Sequence, residues 1–399
     1  MRTFGYIGSG ILVGGSLLIA TSAIAGGFAI REQSTTGLGN AFSESAAGSD
    51  LSSMYWNPAA VTSQDGLNSL SSYTAILPDT TITPTVGVGT SYEDLAVLGA
   101  SYFNYQINQQ LYVGLSINSP LGLVTDSSNN NWAGDRLNRR SEILTLNAAP
   151  TIGYKVNKNL SIAAGVQVQY MNVRLEQAAA ASGPSAVIKG DDVAVGFTAG
   201  VLYKDDSGTS VGVGFRSSIK HKLEGTTHIA SGFAPLTDAS ANLDTPEMVT
   251  VSIRQDLTDS FAIMANYEWS NWSRMAQLRV SPGFGGGPDV VEAFAWKDSW
   301  FASVGAEMKL NDKFTARTGL GYEQTPVPAI TRNARLPDSD RVWLSLGGSY
   351  KWSEATTLDI GYTHIFFEDS NISPANPLIA NAAIENSADI LSVGMRMKW

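Results

Sequence analysis

Apolar residues alternate strictly with small or polar ones at the end of this 399-residue chain. Leu391, Val393, Met395, Met397 and Trp399 alternate with Ser, Gly, Arg and Lys. This period of two predicts a β-strand with one apolar and one polar face. The wall of a transmembrane β-barrel needs both faces, because lipid lies outside it and water inside. An edge strand of a soluble sheet can alternate in the same way, so the rest of the chain must decide.

The N-terminus has the pattern of a secretory signal peptide. Arg2 precedes an apolar run over residues 11–20, and an Ala-Ile-Ala sequence follows at 23–25. The run is too short for a membrane anchor, which needs about 20 apolar residues. We therefore expect residues 1–25 to be removed during export.

Composition excludes several classes of protein. The chain is 43% hydrophobic and 16% charged, and after residue 25 it has no run of 18 apolar residues, which argues against helical membrane spans. It has no Cys, so disulfides and thiolate catalysis are absent. The net charge of −10 argues against a nucleic-acid partner. His221, His228 and His364 form no pattern of a catalytic or metal site, so we expect no enzyme activity, metal or cofactor.

The spacing of turns predicts the number of strands. From residue 67 onward, alternating segments are separated by six short turns and seven long loops. The short turns are at 106–109, 156–159, 204–208, 256–260, 310–313 and 352–355, and the long loops at 78–92, 120–141, 176–190, 224–246, 273–296, 325–338 and 369–387. Fourteen strands with short turns at one end and long loops at the other are typical of bacterial outer-membrane barrels.

The predicted strand faces and aromatic residues support the same architecture. Phe261, Ile263 and Tyr267 share one face of a strand, and Met264 and Glu268 share the other. Aromatic residues concentrate near the predicted strand ends, where they would form two girdles at the membrane interfaces. These residues are Tyr154, Tyr203, Trp269, Trp272, Trp296, Trp300, Tyr350 and Trp352.

Residues 26–65 precede the first predicted strand and resemble a known family. Residues 27–42 (GFAIREQSTTGLGNAF), Ala-Ala-Gly at 46–48 and Asn-Pro-Ala at 57–59 are similar to the N-terminal hatch of FadL-type outer-membrane long-chain fatty-acid and hydrocarbon transporters. The resemblance implies an all-β fold, a 14-stranded antiparallel transmembrane β-barrel (residues 66–399) with residues 26–65 as a hatch inside the lumen. It also implies a monomer in outer-membrane lipid.

The resemblance further implies passive uptake of long-chain fatty acids or related hydrophobic compounds, with exit through the barrel wall. Burying each CH₂ group gains about 0.8 kcal/mol, so an apolar path with a side exit suits such molecules. Uptake of aromatic or alkane hydrocarbons and a surface-interaction role, as an adhesin or receptor, are the alternatives. The strand that ends at Trp399 is expected to engage the barrel-assembly machinery.

Two motifs are candidates for the hatch and its exit. In the family, the residues that correspond to Asn57, Pro58 and Ala59 are associated with docking of the hatch near a kinked third strand; an ordinary Asn-Pro turn is the alternative. The third strand is predicted at residues 111–118, and Gly114 and Pro120 are the places where its pairing could break. Gly114 could instead make room for the hatch.

Substrate-binding candidates come from one loop and from the lumen. The loop after the third strand combines apolar residues that could hold an acyl chain with arginines that could bind a carboxylate. These residues are Leu121, Leu123, Trp132, Arg136, Arg139 and Arg140. The predicted lumen candidates are Met264, Phe301 and Arg317, with further charges at Arg216, Glu307, Lys309 and Arg341. Packing within the loop, contacts to anionic lipid and pairing among lumen charges are the alternatives.

Overall fold

A computed structural model describes residues 26–230 and 236–399, so the predicted signal peptide lies outside the described residues. Within them, fourteen wall strands form a closed antiparallel barrel. The wall strands are β1 (Leu67–Thr83), β3 (Ala96–Gln106), β4 (Leu111–Asn118), β6 (Arg140–Lys155), β7 (Leu160–Ala178), β8 (Ser185–Lys204), β9 (Thr209–Arg216), β12 (Met248–Asp256), β13 (Phe261–Ser270), β16 (Ser299–Lys309), β17 (Phe314–Glu323), β18 (Arg341–Lys351), β19 (Thr356–Phe367) and β21 (Ala383–Lys398).

Each wall strand pairs with the next one along the chain, and β21 closes the barrel by pairing with β1 from Asn68↔Lys398 to Thr83↔Ala383. Shorter strands extend this wall at the end that carries the long loops. They are β2 (Thr90–Tyr92), β5 (Gly122–Asp126), β10 (Lys220–Ile229), β11 (Thr237–Asp244), β14 (Gln277–Ser281), β15 (Val290–Ala293) and β20 (Ser370–Asn371). The predicted 14-stranded barrel is confirmed.

All six short turns lie where the sequence predicts them, within a residue. Some predicted loops are wrong, because the strands continue through them: β7 reaches Ala178, and β10, β11, β14 and β15 occupy residues assigned to loops. On β7 the outward positions change from Val168 to Asn172 and Arg174. The apolar face therefore ends while the strand continues beyond the membrane, which removes the alternation that marked it.

The strand faces agree with the prediction, but the aromatic girdles do so only in part. On β13, Ile263 is 44% exposed and Met264 is 4% exposed, as lipid-facing and lumen-facing residues should be. Tyr154, Tyr203 and Trp352 are exposed near strand ends. Trp272 and Trp296 do not belong to a girdle, because both are buried against each other inside the protein.

The N-terminal segment, residues 26–65, is almost entirely buried and lies inside the barrel. It contains the short helix α1 (Thr35–Gly39) and two 3₁₀ turns, Leu51–Tyr55 and Pro58–Thr62. Helix α1 packs on β17, β18, β19, β21 and β1, and the second turn packs on β3, β4, β6, β7 and β8. No helix in the described part of the chain has the length and apolarity that crossing a membrane requires.

Candidate substrate cavity at the interrupted third strand

Only residues 101–106 of β3 pair with the third wall strand, β4, so the pairing covers about half of β3. The β3–β4 ladder ends at Ser101↔Ile117, and after Pro120 the strand continues as β5, which pairs with β6 from Gly122 onward. A proline has no N–H to give to a ladder, so it favours a break here. The wall is therefore interrupted between the outer part of β3 and the residues that follow Asn118.

Gly114, the other predicted kink position, does not interrupt the ladder. It pairs with Asn104 on β3 and with Thr151 on β6. A Cβ added at Gly114 would lie 2.6 Å from Val61 Cγ2 in the N-terminal segment. The glycine thus makes room for that segment, while the break lies at Pro120.

The N-terminal segment hydrogen bonds to the wall at this break. The Ile30 N–H donates to the Pro120 carbonyl at 2.8 Å, and the Gly122 N–H donates to the Phe28 carbonyl at 2.9 Å. Main-chain groups that would otherwise pair with a neighbouring strand are therefore paired with the N-terminal segment, which compensates for lost ladder bonds inside the membrane.

An apolar cavity of about 50 Å³ lies beside the break. The Phe28 side chain contacts Trp272 and Trp296, at centroid distances of 5.1 and 5.5 Å. Leu123, Ile143, Val173, Leu175, Leu243, Leu278, Phe294, Val327 and Leu336 complete the apolar lining. A water molecule takes about 30 Å³ of liquid volume, so the cavity has room for only about two water molecules. An acyl chain would enter only if Phe28 or its neighbours moved.

Arg335 is the cation at this cavity. Its guanidinium donates to Gln177 Oε1 at 2.6 Å and to Ser141 Oγ at 3.2 Å, and it lies 3.5 Å from a carboxylate oxygen of Glu292. The side chain is 13% exposed, and burial lowers the pKa of Arg335 from its usual value, with Glu292 opposing that shift. A charged donor at the edge of an apolar cavity suits a ligand with an acyl chain and a carboxylate.

Two of the predicted loop residues lie at the cavity, and the other four lie elsewhere. Leu121 and Leu123 belong to the apolar cluster around Phe28. Trp132 packs in a different cluster and donates from Nε1 to the Asn138 carbonyl at 2.9 Å.

The three loop arginines do not line the cavity. Arg139 pairs with Asp135 at 3.3 Å, Arg140 pairs with Asp126, and Arg136 is exposed. Of the six loop candidates, Leu123 lines the cavity and Leu121 packs beside it.

The predicted lumen residues lie elsewhere in the barrel interior. Arg317 pairs with Glu307 at 2.7 Å, and Phe301 lies 3.8 Å beneath the guanidinium of Arg31. Met264 is buried on β13. None of the three lines the apolar cavity. Of the other lumen charges, Arg216 and Arg341 are buried, whereas Lys309 is exposed where β16 ends.

Buried charges surround the start of the N-terminal segment. Arg31 pairs with Glu268 at 2.9 Å and with Glu323 at 3.2 Å. Glu32 is 3% exposed, and neither of its carboxylate oxygens has a hydrogen-bond partner among the described residues. Burial raises the pKa of Glu32 to about 7, and the nearby Glu323 adds to the shift. The Glu32 carboxyl group is therefore largely protonated in mildly acidic solution.

The Asn-Pro-Ala sequence docks against β8 and β9. Asn57 Nδ2 donates to the carbonyls of Ala46 and Val201 at 2.8 and 2.9 Å, and Asn57 Oδ1 accepts from the Ala59 N–H at 3.0 Å. A Cβ added at Gly214 would lie 1.8 Å from the Trp56 carbonyl oxygen. Pro58 begins the 3₁₀ turn that contacts β4, so the motif lies between the wall and the rest of the N-terminal segment.

Sequence reasoning did not identify Phe28, Trp296 or Arg335 as cavity residues. Phe28 lies in the run that resembles the family's hatch, which was a usable signal. Trp296 looked like a girdle residue because it lies at the end of a predicted loop. Arg335 lies in a long loop, and only the folding of that loop brings it to the cavity.

Comparisons with known proteins identify the family of the chain. The family described as outer membrane protein transport protein (OMPP1/FadL/TodX) matches residues 16–399. The long-chain fatty acid transport protein of Escherichia coli O6:H1 (strain CFT073) is 27% identical over 396 residues, covering 87% of this chain and 88% of that protein. Outer membrane protein P1 of Haemophilus influenzae (strain Rd) is 24% identical, with 89% of each chain covered.

The fold is similar to solved structures. A FadL homologue from Pseudomonas aeruginosa superposes with a TM-score of 0.83 at 23% identity, over 93% of this chain and 99% of the other. The toluene transporter TodX from P. putida gives a TM-score of 0.69 at 16% identity, over 88% and 94%. The chain belongs to the OMPP1/FadL/TodX family of outer membrane transport proteins, and its location is the bacterial outer membrane.

Proposed function

We propose that this protein takes up long-chain fatty acids, or closely related amphiphiles, by passive diffusion through the apolar cavity beside the interrupted third strand. The observation that carries the proposal is the position of Arg335, a partly buried cation at the edge of a cavity lined by apolar side chains. The names of the fatty-acid transport relatives support the same substrate class.

The proposed path has a closed and an open state. In the closed state the Phe28 side chain contacts Trp272 and Trp296, and the cavity has a volume of about 50 Å³. A long acyl chain needs several times that volume. We infer that substrate binding displaces Phe28 together with the adjoining N-terminal residues, so residues 26–65 act as a hatch.

The proposed exit is the wall interruption at Pro120. Displacement of Phe28 and Ile30 removes the hydrogen bonds that these residues make with the third strand. The outer part of β3 then faces an opening from the cavity to the membrane. An acyl chain that leaves sideways gains about 0.8 kcal/mol per CH₂ relative to water, so its own concentration gradient is sufficient to drive uptake.

The structure also favours a second substrate class to be tested, uncharged hydrocarbons. The cavity lining is almost entirely apolar, and Arg335 already has partners in Gln177, Ser141 and Glu292. A hydrocarbon would leave those partners undisturbed. A solved relative of the same fold is named as a toluene transporter.

The test compares oleate with oleyl alcohol, which has the same chain and no charge, in cells that lack their own transporter. Arg335→Met should lower labelled oleate uptake about tenfold, which corresponds to about 1.4 kcal/mol, and leave oleyl alcohol uptake unchanged. Arg136→Met is the matched control, because Arg136 is exposed and away from the cavity. Equal oleate uptake by both variants would overturn the carboxylate assignment, and failure of the unchanged protein to transport either compound would overturn uptake itself.

We also propose that the protein functions as a monomer in outer-membrane lipid and that β21 engages the barrel-assembly machinery. Trp399 is exposed beside the seam between β21 and β1, where its Nε1 donates to Ser69 Oγ at 3.1 Å. Slower membrane insertion of Trp399→Ala than of Trp352→Ala, at another exposed tryptophan, would support this role; equal rates would not.

A further inference from the structure

The predicted mature N-terminus lies inside the barrel, against a buried carboxylate. Gly26 is buried, and its main chain is hydrogen bonded to the Glu323 carboxylate. The next N–H, that of Gly27, donates to Asp338 Oδ2 at 3.0 Å. Removal of residues 1–25 would convert the Gly26 N–H into an α-ammonium group, which carries a positive charge and three N–H donors. The site around Glu323 would then hold a cation that the uncleaved chain lacks.

Glu323 has no cation of its own. It is buried, and it shares Arg31 with Glu268 and Arg341 with Asp338. Each guanidinium group lies closer to the other carboxylate: 2.9 Å for Arg31–Glu268 against 3.2 Å for Arg31–Glu323, and 2.5 Å for Arg341–Asp338 against 3.6 Å for Arg341–Glu323. No other Lys or Arg in the described part of the chain forms an ion pair with these three carboxylates. We call the five residues the acidic cluster.

The charges and hydrogen bonds of the acidic cluster are incomplete. Two guanidinium groups face three carboxylates, and Glu323 Oε2 has no hydrogen-bond partner among the described residues. The nearby Glu32 adds no charge while it is protonated, as its burial favours. Two other cations nearby, Arg216 and Arg332, donate to uncharged acceptors. A buried carboxylate without a full partner is unfavourable, so the cluster favours one more cation.

Two glycines bring the N-terminus to this position. A Cβ added at Gly26 would lie 2.8 Å from Glu323 Oε1, so the site suits a residue without a side chain. Gly27 has a φ of 66°, in the left-handed region, and a Cβ there would lie 3.2 Å from two tryptophan side chains. The turn at Gly27 therefore places Gly26 on Glu323 and Phe28 against those tryptophans.

An α-ammonium group fits Glu323 better than a main-chain N–H does. The N–H gives the carboxylate one hydrogen bond and no net charge. The ammonium group gives it a charge-assisted hydrogen bond, which is roughly twice as strong as a neutral one, and has two further donors. Because Gly26 is two residues from Phe28, a stronger contact at Gly26 also limits the movement of the Phe28 ring.

We propose that Glu323 binds the α-ammonium group of Gly26 in the mature protein, so that cleavage after residue 25 completes the acidic cluster and fixes Phe28 in the closed path. Glu323 is thus a positioning residue, which acts on Phe28 through the N-terminus. The ammonium site rests on the predicted cleavage, and only its effect on transport rests on the proposed uptake.

The first test measures the protonation of the α-amino group in the purified mature protein. Mass spectrometry of the intact chain shows whether it begins at Gly26. Trace labelling with acetic anhydride between about pH 6 and pH 11, read from the N-terminal peptide, then gives the pH at which half of the group is deprotonated. An exposed α-amino group has this midpoint near pH 8, at about its ordinary pKa. We expect a midpoint above pH 8 that falls by at least one pH unit, a tenfold change in the protonation equilibrium, in Glu323→Gln.

The midpoint separates binding of the ammonium group from a general loosening of the segment, which would change the labelling rate at every pH without moving the midpoint. Glu354→Gln is the matched control, because it is the same substitution in an exposed turn, and it should keep the midpoint of the unchanged protein. A midpoint at or below pH 8 in the unchanged protein, or the same midpoint in Glu323→Gln, would overturn the proposal. A mature chain that begins at another residue would overturn it as well.

The second test measures the effect on the path. Glu323→Gln should take up oleyl alcohol several-fold faster than the unchanged protein, because Phe28 is held less firmly, and Glu354→Gln should not. Equal uptake by Glu323→Gln and the unchanged protein would overturn the link between the N-terminus and Phe28. If the unchanged protein transports neither oleate nor oleyl alcohol, the proposed function fails; the labelling midpoint needs no transport and decides the ammonium site by itself.

Discussion

The main-chain N–H of Ile30 donates a 2.8 Å hydrogen bond to the carbonyl of Pro120, at the place where the third wall strand leaves β3. In the proposed path, the closure of the lumen and the closure of the wall therefore depend on the same residues. Moving Ile30 would break a wall contact and open the space around Phe28 at once. This coupling explains how a substrate that displaces the N-terminal segment could also create its own exit.

Gln33 supports the contact between the N-terminal segment and the third wall strand. Removing its side chain should weaken that contact. Gln33 Nε2 donates to the carbonyls of Ile30, in the N-terminal segment, and of Ser119, in the third wall strand, at 2.9 and 2.8 Å. Gln33→Ala leaves two buried carbonyls without this donor, at a cost of about 1–3 kcal/mol. Hydrogen exchange of residues 26–40 should be at least fivefold faster than in the unchanged protein. Gln110→Ala, in an exposed turn, should leave it unchanged, and equal exchange in both variants would contradict the role of Gln33.

Phe28 should control the size of the path. Its ring packs against both Trp272 and Trp296, and replacing a buried Phe with Ala costs about 3–5 kcal/mol and leaves a cavity. We expect Phe28→Ala to form a normal barrel and to take up oleyl alcohol several-fold faster, because the closed state is lost. Phe314→Ala, at an exposed position on the outer wall, is the control for expression and insertion. Slower uptake by Phe28→Ala would show that the ring binds substrate rather than blocking its path.

The sequence predicted the features that depend on the contrast between lipid and lumen. Ile263 and Met264 could be assigned to opposite faces because the two solvents select different side chains at alternate positions. The break in pairing between the β8–β9 and β8–β10 ladders was hidden, because one extra residue shifts the alternation between Phe215 and Lys220 and resembles the start of a loop. Arg335 could not be placed, since its position follows from loop packing, which has no repeating pattern.

Asn57 should fix the N-terminal segment to the wall. Its side chain makes hydrogen bonds to Ala46, Ala59 and Val201, and all of them are lost in Asn57→Ala. Because Asn57 is fully buried, we expect destabilisation of the docked segment by about 1–3 kcal/mol and faster protease cleavage within residues 40–62. Ser63→Ala is the control, since the Ser63 hydroxyl has no hydrogen-bond partner among the described residues. Cleavage at the same rate in both variants would argue against a docking role.

Glu32 should make docking of the N-terminal segment dependent on pH. Burial raises its pKa from 4.5 to about 7, so between these values the docked segment holds a proton that a displaced segment releases. The docked state therefore binds more protons, and its stability falls as pH rises from about 4.5 to 7 and stays low above that range. The shift corresponds to about 3 kcal/mol, or up to a few hundredfold in the population of the displaced state.

Glu32→Gln removes this titration while keeping a side chain of similar size. Hydrogen exchange of residues 26–40, corrected for its intrinsic dependence on pH, should rise strongly from pH 5 to pH 8 in the unchanged protein. It should stay nearly constant in Glu32→Gln. Glu354→Gln, in an exposed turn between wall strands, should behave like the unchanged protein. If the pH dependence persists without Glu32, another group titrates with displacement, and the adjacent buried carboxylates Glu323 and Asp338 are the next to substitute.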